Sequence, residues 1–139
     1  MNDPVVAALS PCDVSPRPIE VLVVDDHAEY LTAVTTFLSR LPRVQVVGTA
    51  LNGRDALRLV RELAPDLVLL DLTMPEMNGL TTAQLIKGRP GAPLVVIVTA
   101  EATLACSLAV AACGADALVA KGDAPEQLPI LLEKLFPTS

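Results

Sequence analysis

Three acidic residues, one threonine and one lysine stand where short apolar stretches of this sequence end. Asp25 and Asp26 follow one such stretch, Asp71 follows a second, Thr99 closes a third and Lys121 follows a fourth. Carboxylates bind hard divalent cations through oxygen, while an ammonium group and a hydroxyl bind the oxygens of an anion. Brought together, these side chains suit phosphoryl transfer, in which catalysis is mainly positioning and charge stabilisation.

The apolar stretches have the composition of buried parallel strands. They are short and rich in β-branched residues, and segments with apolar residues at helical spacing separate them. Strands are predicted at residues 19–24, 44–48, 67–70, 94–98 and 117–120. The carboxyl ends of parallel strands lie along one edge of the sheet, where ligands bind in open α/β folds. We therefore expect the five polar residues to converge at that edge.

Each predicted strand is followed by a predicted helix. The helices are expected at residues 28–40, 52–65, 80–87, 103–113 and 125–136. Five β–α units with short connections favour right-handed crossovers with helices on both faces. The predicted fold class is α/β, a doubly wound five-stranded parallel sheet with five helices.

The first 17 residues differ in character from the rest. They are rich in proline and serine, which predicts a flexible leader at 1–17 before a single domain at 18–137. The 139 residues suffice for one hydrophobic core. The sequence ends shortly after the last predicted helix, so no second domain is expected.

Composition argues against several classes of function. The net charge is −6 and aromatic residues make up 2% of the chain, which disfavours direct contact with nucleic acid. No secretory signal is visible, and no uninterrupted apolar stretch reaches the roughly 20 residues of a membrane span. A cytoplasmic protein without membrane contact is expected.

The adjacent acids Asp25 and Asp26 need compensation, because like charges so close raise each other's pKa unless a cation neutralises them. With Asp71 on a neighbouring strand, Mg²⁺ is the natural counter-ion. A plainer interpretation is that the aspartates cap the following helices and that Lys121 extends into solvent. No P-loop and no G-x-G-x-x-G sequence occurs, so nucleotide binding is not predicted. His27 among hard acids does not indicate a zinc site.

These residues and their surroundings resemble the response regulator receiver domain of bacterial two-component systems. The similarity lies in residues 23–27 (Val-Val-Asp-Asp-His), in residues 70–80 with their D-x-T-M-P-x-M-N-G sequence, in residues 98–100, and in residues 114–121. It covers about residues 19–136. The resemblance implies a CheY-like, flavodoxin-like fold with strand order 2-1-3-4-5.

The resemblance also implies roles for the site residues. Asp71 would be the phosphoacceptor, taking its phosphoryl group from a histidine kinase or a phosphotransfer protein. Asp26, Asp71 and the backbone carbonyl of Thr73 would bind Mg²⁺ directly, and Asp25 would act through water. The chain would accept a phosphoryl group without being an enzyme, apart from slow self-dephosphorylation tuned by Thr73 and Glu101.

Signalling would follow from the phosphoryl group. By resemblance, Thr99 and Lys121 would hold its oxygens, and movement of Thr99 would remodel the helix 4–strand 5–helix 5 face. A downstream protein or output domain would bind there, and a homodimer through the same face is a further implication.

The sequence departs from the family pattern at three points. Leu118 occupies the strand-five position where the family often has an aromatic residue. Gly122 and Asp123 follow Lys121 where many members have proline, as in the subfamily with a helix-turn-helix output domain. That output domain is missing, so the chain is either a stand-alone receiver or a receiver cut from a DNA-binding regulator.

Two other functions are compatible with parts of the pattern. A pseudo-receiver would bind partners without being phosphorylated. An aspartate-nucleophile phosphatase of the haloacid dehalogenase kind needs a second acid two residues after the nucleophile, and Thr73 stands there instead.

Overall fold

Five strands alternate with five helices in the part of the chain that the computed structural model describes, residues 17–74, 77–100 and 102–137. The elements are β1 (Ile19–Val24), α1 (Ala28–Ser39), β2 (Val44–Ala50), α2 (Gly53–Leu63), β3 (Leu67–Asp71), α3 (Gly79–Lys87), β4 (Leu94–Thr99), α4 (Leu104–Ala112), β5 (Ala117–Ala120) and α5 (Ala124–Leu135). A short 3₁₀ turn, Lys121–Asp123, joins β5 to α5. The predicted alternation is confirmed, with small changes at the ends of the elements.

The sheet is parallel throughout and has the order β2-β1-β3-β4-β5. The predicted doubly wound fold and its strand order are therefore confirmed. β2 extends to Ala50, beyond its predicted end, and its pairing with β1 continues to Val24 through a register shift at Val21/Leu22. At the centre of the sheet, β3 lies between β1 and β4 and is buried along its whole length.

The alternation of side chains along the strands produces two apolar layers, one on each face of the sheet. Residues such as Val23 and Leu69 pack with α1 and α5 on one face. Their neighbours Val24 and Leu70 pack with α2, α3 and α4 on the other. This parity fixes the face toward which each residue at the strand ends points.

Helix α2 ends on a residue in the left-handed backbone region, Ala64, with φ of 46°. The Ala64 N–H donates to the carbonyl of Val60, and Pro65 follows and cannot continue the helix. The helix thus ends two residues before the predicted boundary at Pro65, because proline disfavours helical backbone in the residue before it.

None of the helices in the described ranges has both the length and the apolarity needed to cross a bilayer. Of the predicted leader, residues 1–16 lie outside the described residues, as does Glu101. Arg17 is described, and its guanidinium lies 2.7 Å from the Asp66 carboxylate.

Candidate functional site at the carboxyl edge of the sheet

The polar residues predicted to converge lie at one edge of the sheet. Asp25 directly follows β1, and Asp71 is the last residue of β3, where it pairs with Val98. Thr99 is the last residue of β4, and Lys121 directly follows β5. Asp25, Asp71 and Thr99 are all buried.

Lys121 bridges two of the carboxylates. Its Nζ lies 2.7 Å from Asp25 Oδ2 and 3.6 Å from Asp71 Oδ1. The Lys121 side chain is 20% exposed, so solvent screens these contacts only weakly. The ammonium group therefore does not extend into solvent, as the plainer interpretation of the sequence allowed.

The aspartates do not act as helix caps. The N-cap of α1 is His27, whose side chain makes no capping hydrogen bond, and α3 is capped by Asn78, whose side chain accepts the N–H of Thr81. The acidic residues at this edge therefore serve another purpose.

Asp25 and Asp26 have different surroundings. Asp25 Oδ1 accepts the backbone N–H of His27 at 2.8 Å, and its Oδ2 contacts Lys121, so both of its oxygens are engaged. Asp26 Oδ1 is buried and lacks a hydrogen-bond partner among the described residues, although the His27 ring nitrogen Nδ1 lies 3.1 Å away. A buried carboxylate oxygen without a donor is costly unless a cation binds it.

Four residues present potential metal-ligand atoms within 4.8 Å of one another: Asp25, Asp26, His27 and Asp71. Three of the four are carboxylates, the ligands that Mg²⁺ prefers, and Asp26 also has a buried oxygen without a hydrogen-bond partner among the described residues. The cluster is compatible with Mg²⁺ binding. His27 was given no role from the sequence, and the structure places its ring against both aspartates of the pair.

The electrostatics of the site are dominated by burial of charge. Burial and the neighbouring charge of Asp25 raise the pKa of the Asp71 carboxyl from 3.8 to about 6, against the opposing effects of Lys121 and the backbone N–H of Thr73. Burial alone would lower the pKa of the Lys121 ammonium, but the hydrogen bond to Asp25 and the charge of Asp71 raise it overall. Lys121 therefore stays protonated at neutral pH, while the pKa of Asp71 is raised toward neutral pH.

Tyr30 is a member of the site that sequence analysis missed. It lies in the first turn of α1, and the Lys121 Nζ lies 4.4 Å from the centroid of its ring. Its hydroxyl is buried and has no hydrogen-bond partner among the described residues. The available signal was its position four residues after Asp26, in the first turn of the helix that follows the acid pair.

The loop from β3 to α3 brings backbone very close to Asp71. The Gly79 N–H donates to the Leu72 carbonyl at 2.8 Å. A Cβ at residue 79 would overlap the carbonyl oxygen of Asp71 and lie 2.8 Å from the Leu72 Cα. Only glycine lets α3 begin directly against the strand that ends in Asp71.

We expect Gly79→Ala to lower the free energy of unfolding by about 2 kcal/mol, because the new methyl group must displace backbone rather than a flexible side chain. Urea denaturation measures this loss. Gly122→Ala is the matched control, since a Cβ there would meet open space. Equal losses in the two variants would show that the close approach at Gly79 is unimportant.

Leu118, at the position where the family often has an aromatic residue, is partly buried against the α2–α3–α4 layer. With Ile130, Leu131 and Lys134, it lines a groove of about 280 Å³ between β5 and α5. Thr73 is exposed beside the site.

Comparisons with known proteins agree with this architecture. The sequence profile of the family described as the response regulator receiver domain matches residues 21–133. The protein-glutamate methylesterase/protein-glutamine glutaminase of Geobacillus kaustophilus (strain HTA426) is 44% identical over 116 residues, which cover 82% of this chain and 33% of that protein. The nitrate/nitrite response regulator protein NarL of Escherichia coli (strain K12) is 35% identical over 112 residues, covering 81% of this chain and 52% of that protein.

A solved structure gives the same result. The signal receiver domain of the putative response regulator NarL from Mycobacterium tuberculosis has a TM-score of 0.81 with this chain at 29% identity, covering 88% of this chain and 100% of that one. This chain spans between a third and about half of the length of the two curated relatives above. The profile match, the strand order and the acidic carboxyl edge together show that this chain belongs to the response regulator receiver family of two-component systems.

Proposed function

We propose that this receiver accepts a phosphoryl group on Asp71 from the phosphohistidine of a histidine kinase or a phosphotransfer protein in the cytoplasm. One observation carries the proposal: the Asp71 carboxylate is buried in a cluster with the ammonium group of Lys121 and the acid pair Asp25–Asp26. A nucleophile in that position has both a positive charge and potential metal ligands beside it.

In the proposed reaction, a carboxylate oxygen of Asp71 attacks the phosphorus of the phosphohistidine. The new O–P bond forms as the P–N bond breaks, and the electron pair of that bond stays on the imidazole, which takes up a proton. The reaction requires the ionised carboxylate, and with a pKa of about 6 most of Asp71 is ionised at neutral pH. Lys121, 3.6 Å from Asp71 Oδ1, stabilises negative charge on the phosphoryl oxygens.

We propose that Asp26, Asp71 and the backbone carbonyl of Thr73 hold Mg²⁺ directly, and that Asp25 acts through water. The unpaired Oδ1 of Asp26 supports its role as a direct ligand, and the two engaged oxygens of Asp25 support its indirect one. When bound, Mg²⁺ would supply charge neutralisation of the acids and of the incoming phosphoryl group.

The proposed output surface is the face formed by α4, β5 and α5. Thr99 and Lys121, at the ends of β4 and β5, would contact the phosphoryl oxygens and pass the change to this face. The face exposes Leu104, Leu108 and Ile130, and α4 contains no charged residue. Such an apolar surface suits a downstream protein, an output domain or a second copy of the chain.

This receiver needs an output, either through its own protein contacts or through an attached domain. The two curated relatives are longer than this chain, and their names describe a methylesterase/glutaminase and a nitrate/nitrite response regulator. We propose that this receiver acts either alone through protein contacts or as the regulatory part of a DNA-binding regulator. In either case Thr73 and Glu101 would set the rate of slow self-dephosphorylation.

The direct test is incubation of the protein with acetyl phosphate in Mg²⁺ or in EDTA, followed by intact mass measurement. We expect a gain of one phosphoryl group that depends on Mg²⁺ and is removed by base or hydroxylamine, as for an acyl phosphate. No gain under any condition would favour a pseudo-receiver that binds its partners constitutively.

Lys121→Ala is expected to leave Mg²⁺ binding largely intact while blunting the conformational response, because the lysine contacts Asp25 and Asp71 without being a metal ligand itself. Calorimetric titration with Mg²⁺ and amide NMR shifts with beryllofluoride separate the two effects. Lys134→Ala, on the exposed side of α5, is the control. A full set of beryllofluoride-induced shifts in Lys121→Ala would count against Lys121 as the phosphoryl sensor.

A further inference from the structure

Tyr30 and Lys121 form a contact that the proposed reaction does not by itself explain. We propose that Tyr30 is a positioning residue for Lys121, whose ring holds the ammonium group between Asp25 and Asp71 for phosphoryl transfer. The inference rests on the proposed function of Asp71 and adds a residue to its machinery.

The geometry shows how the ring confines the ammonium group. Lys121 Nζ contacts Asp25 at 2.7 Å and Asp71 at 3.6 Å, and the Tyr30 ring centroid lies 4.4 Å from the same atom. The negative face of an aromatic ring attracts a cation at this distance. The ring therefore limits the positions available to the long, flexible side chain of Lys121.

Leu118 occupies the strand-five position where the family often has an aromatic residue, and it packs on the face of the sheet opposite to Tyr30. Strand side chains alternate, and Val119 faces the α1–α5 layer while Leu118 packs against the opposite layer. Lys121 lies in the 3₁₀ turn after β5, and the ring that contacts its ammonium group comes from the α1–α5 layer. Tyr30 belongs to that layer.

The phenol hydroxyl does not anchor the side chain, so the role proposed for Tyr30 rests on its ring. Its oxygen is buried and has no hydrogen-bond partner among the described residues, and an unsatisfied buried hydroxyl destabilises a fold. A cavity of about 10 Å³ lies beside it, with Asp25, Asp71 and Val98 among its lining residues. Tyr30 lines this cavity together with Asp71, so its ring lies beside the proposed phosphoacceptor as well as beside Lys121.

The test is a double-mutant cycle on the rate of phosphoryl uptake from acetyl phosphate in Mg²⁺, followed by intact mass. Tyr30→Leu is expected to slow uptake about fivefold, the size of a partly buried cation–π contact. In a Lys121→Met background the same change is expected to have almost no effect, because residues that act through one contact are not additive. Tyr30→Phe keeps the ring and is expected to retain most of the rate.

Phe37→Leu is the matched control for lost aromatic packing. Phe37 lies on the same helix and packs partly buried against the same layer as Tyr30, two turns further from the site. It is expected to lower stability without changing the rate of uptake. A Phe37→Leu variant as slow as Tyr30→Leu would overturn the proposal, because loss of packing would then explain both.

Tyrosine emission provides a second measurement, because the chain contains one tyrosine and no tryptophan. Emission from Tyr30 is expected to change when the phosphodonor and Mg²⁺ are added, and this change is expected to disappear in Lys121→Met. Constant emission in a wild-type protein that gains the phosphoryl group would contradict the inference.

The outcomes separate this inference from the proposed function. A wild-type protein that gains no phosphoryl group overturns both. A labelled wild type in which Tyr30→Leu and Lys121→Met have additive effects overturns the role of Tyr30 alone and leaves Asp71 as the phosphoacceptor.

Discussion

Replacing Asp71 by asparagine is expected to abolish phosphoryl uptake completely. The amide has nearly the same shape as the carboxylate, but it lacks the negative oxygen that attacks phosphorus. The remaining acids are unsuited to take over, because both oxygens of Asp25 are engaged and Asp26 belongs to the proposed metal site. Intact mass after incubation with acetyl phosphate and Mg²⁺ gives the result directly.

Asp123→Asn is the control for this prediction. Asp123 is an exposed acid two residues after Lys121, and its side chain makes no capping hydrogen bond to α5. The same chemical change there is expected to leave uptake unaltered. If Asp71→Asn still gained a phosphoryl group, the acceptor would have to be sought elsewhere in the chain.

The residues at the sheet edge were predictable because two periodicities fix their positions. Each apolar strand ends at a polar residue, and parallel strands align those ends. Asp25 and Asp71 come two residues after Val23 and Leu69, which face the α1–α5 layer, so their side chains lie on the same side of the sheet. The strand ends and the alternation of side chains thus predict the same positions. Residues far apart in sequence converge because the parallel α/β fold aligns the strand ends.

Other parts of the site depend on tertiary contacts that have no local signal. The ring of Tyr30, on α1, meets Lys121 after β5, although β3 and β4 separate β1 from β5 in the sheet. The approach of Gly79 to the Asp71 backbone is likewise a consequence of how α3 begins. Sequence similarity indicated the glycine but not the contact that requires it.

The pKa of Asp71 was also beyond sequence analysis, because it depends on burial and on distances between charges. Sequence indicated repulsion within the Asp25–Asp26 pair, and the structure shows that burial and the charge of Asp25 raise the pKa of Asp71. Asp26 has the buried oxygen without a hydrogen-bond partner among the described residues, and Asp25 has the contact with Lys121. Adjacent residues of the same type therefore have different roles because the two carboxylates face different partners.

The raised pKa predicts that the metal-free protein loses stability as the pH rises through the titration range of Asp71. Between pH 3.8 and about 6 the folded chain binds more protons at Asp71 than the unfolded chain does, so the free energy of unfolding falls with increasing pH. This loss of stability is absent below pH 3.8 and complete above about pH 6. It amounts to about 3 kcal/mol for a shift of this size.

Urea denaturation of the wild type and Asp71→Asn from pH 3 to pH 8, in EDTA, isolates this contribution. The variant has no carboxyl group at residue 71, so the two proteins are expected to be similarly stable at the lowest pH. The variant is expected to be more stable by about 3 kcal/mol above pH 6. A constant difference across the whole range would mean that the Asp71 carboxyl titrates normally in the folded chain.

Addition of Mg²⁺ at pH 7 tests the proposed metal ligands, because a cation that binds the folded chain stabilises it by mass action. In the wild type, Mg²⁺ is expected to recover stability that ionisation of Asp71 removes. In Asp71→Asn the gain is expected to be smaller, since one of the proposed ligands is gone. Equal Mg²⁺-dependent gains in the two proteins would place the ion away from Asp71, and the acid pair alone would then account for the site.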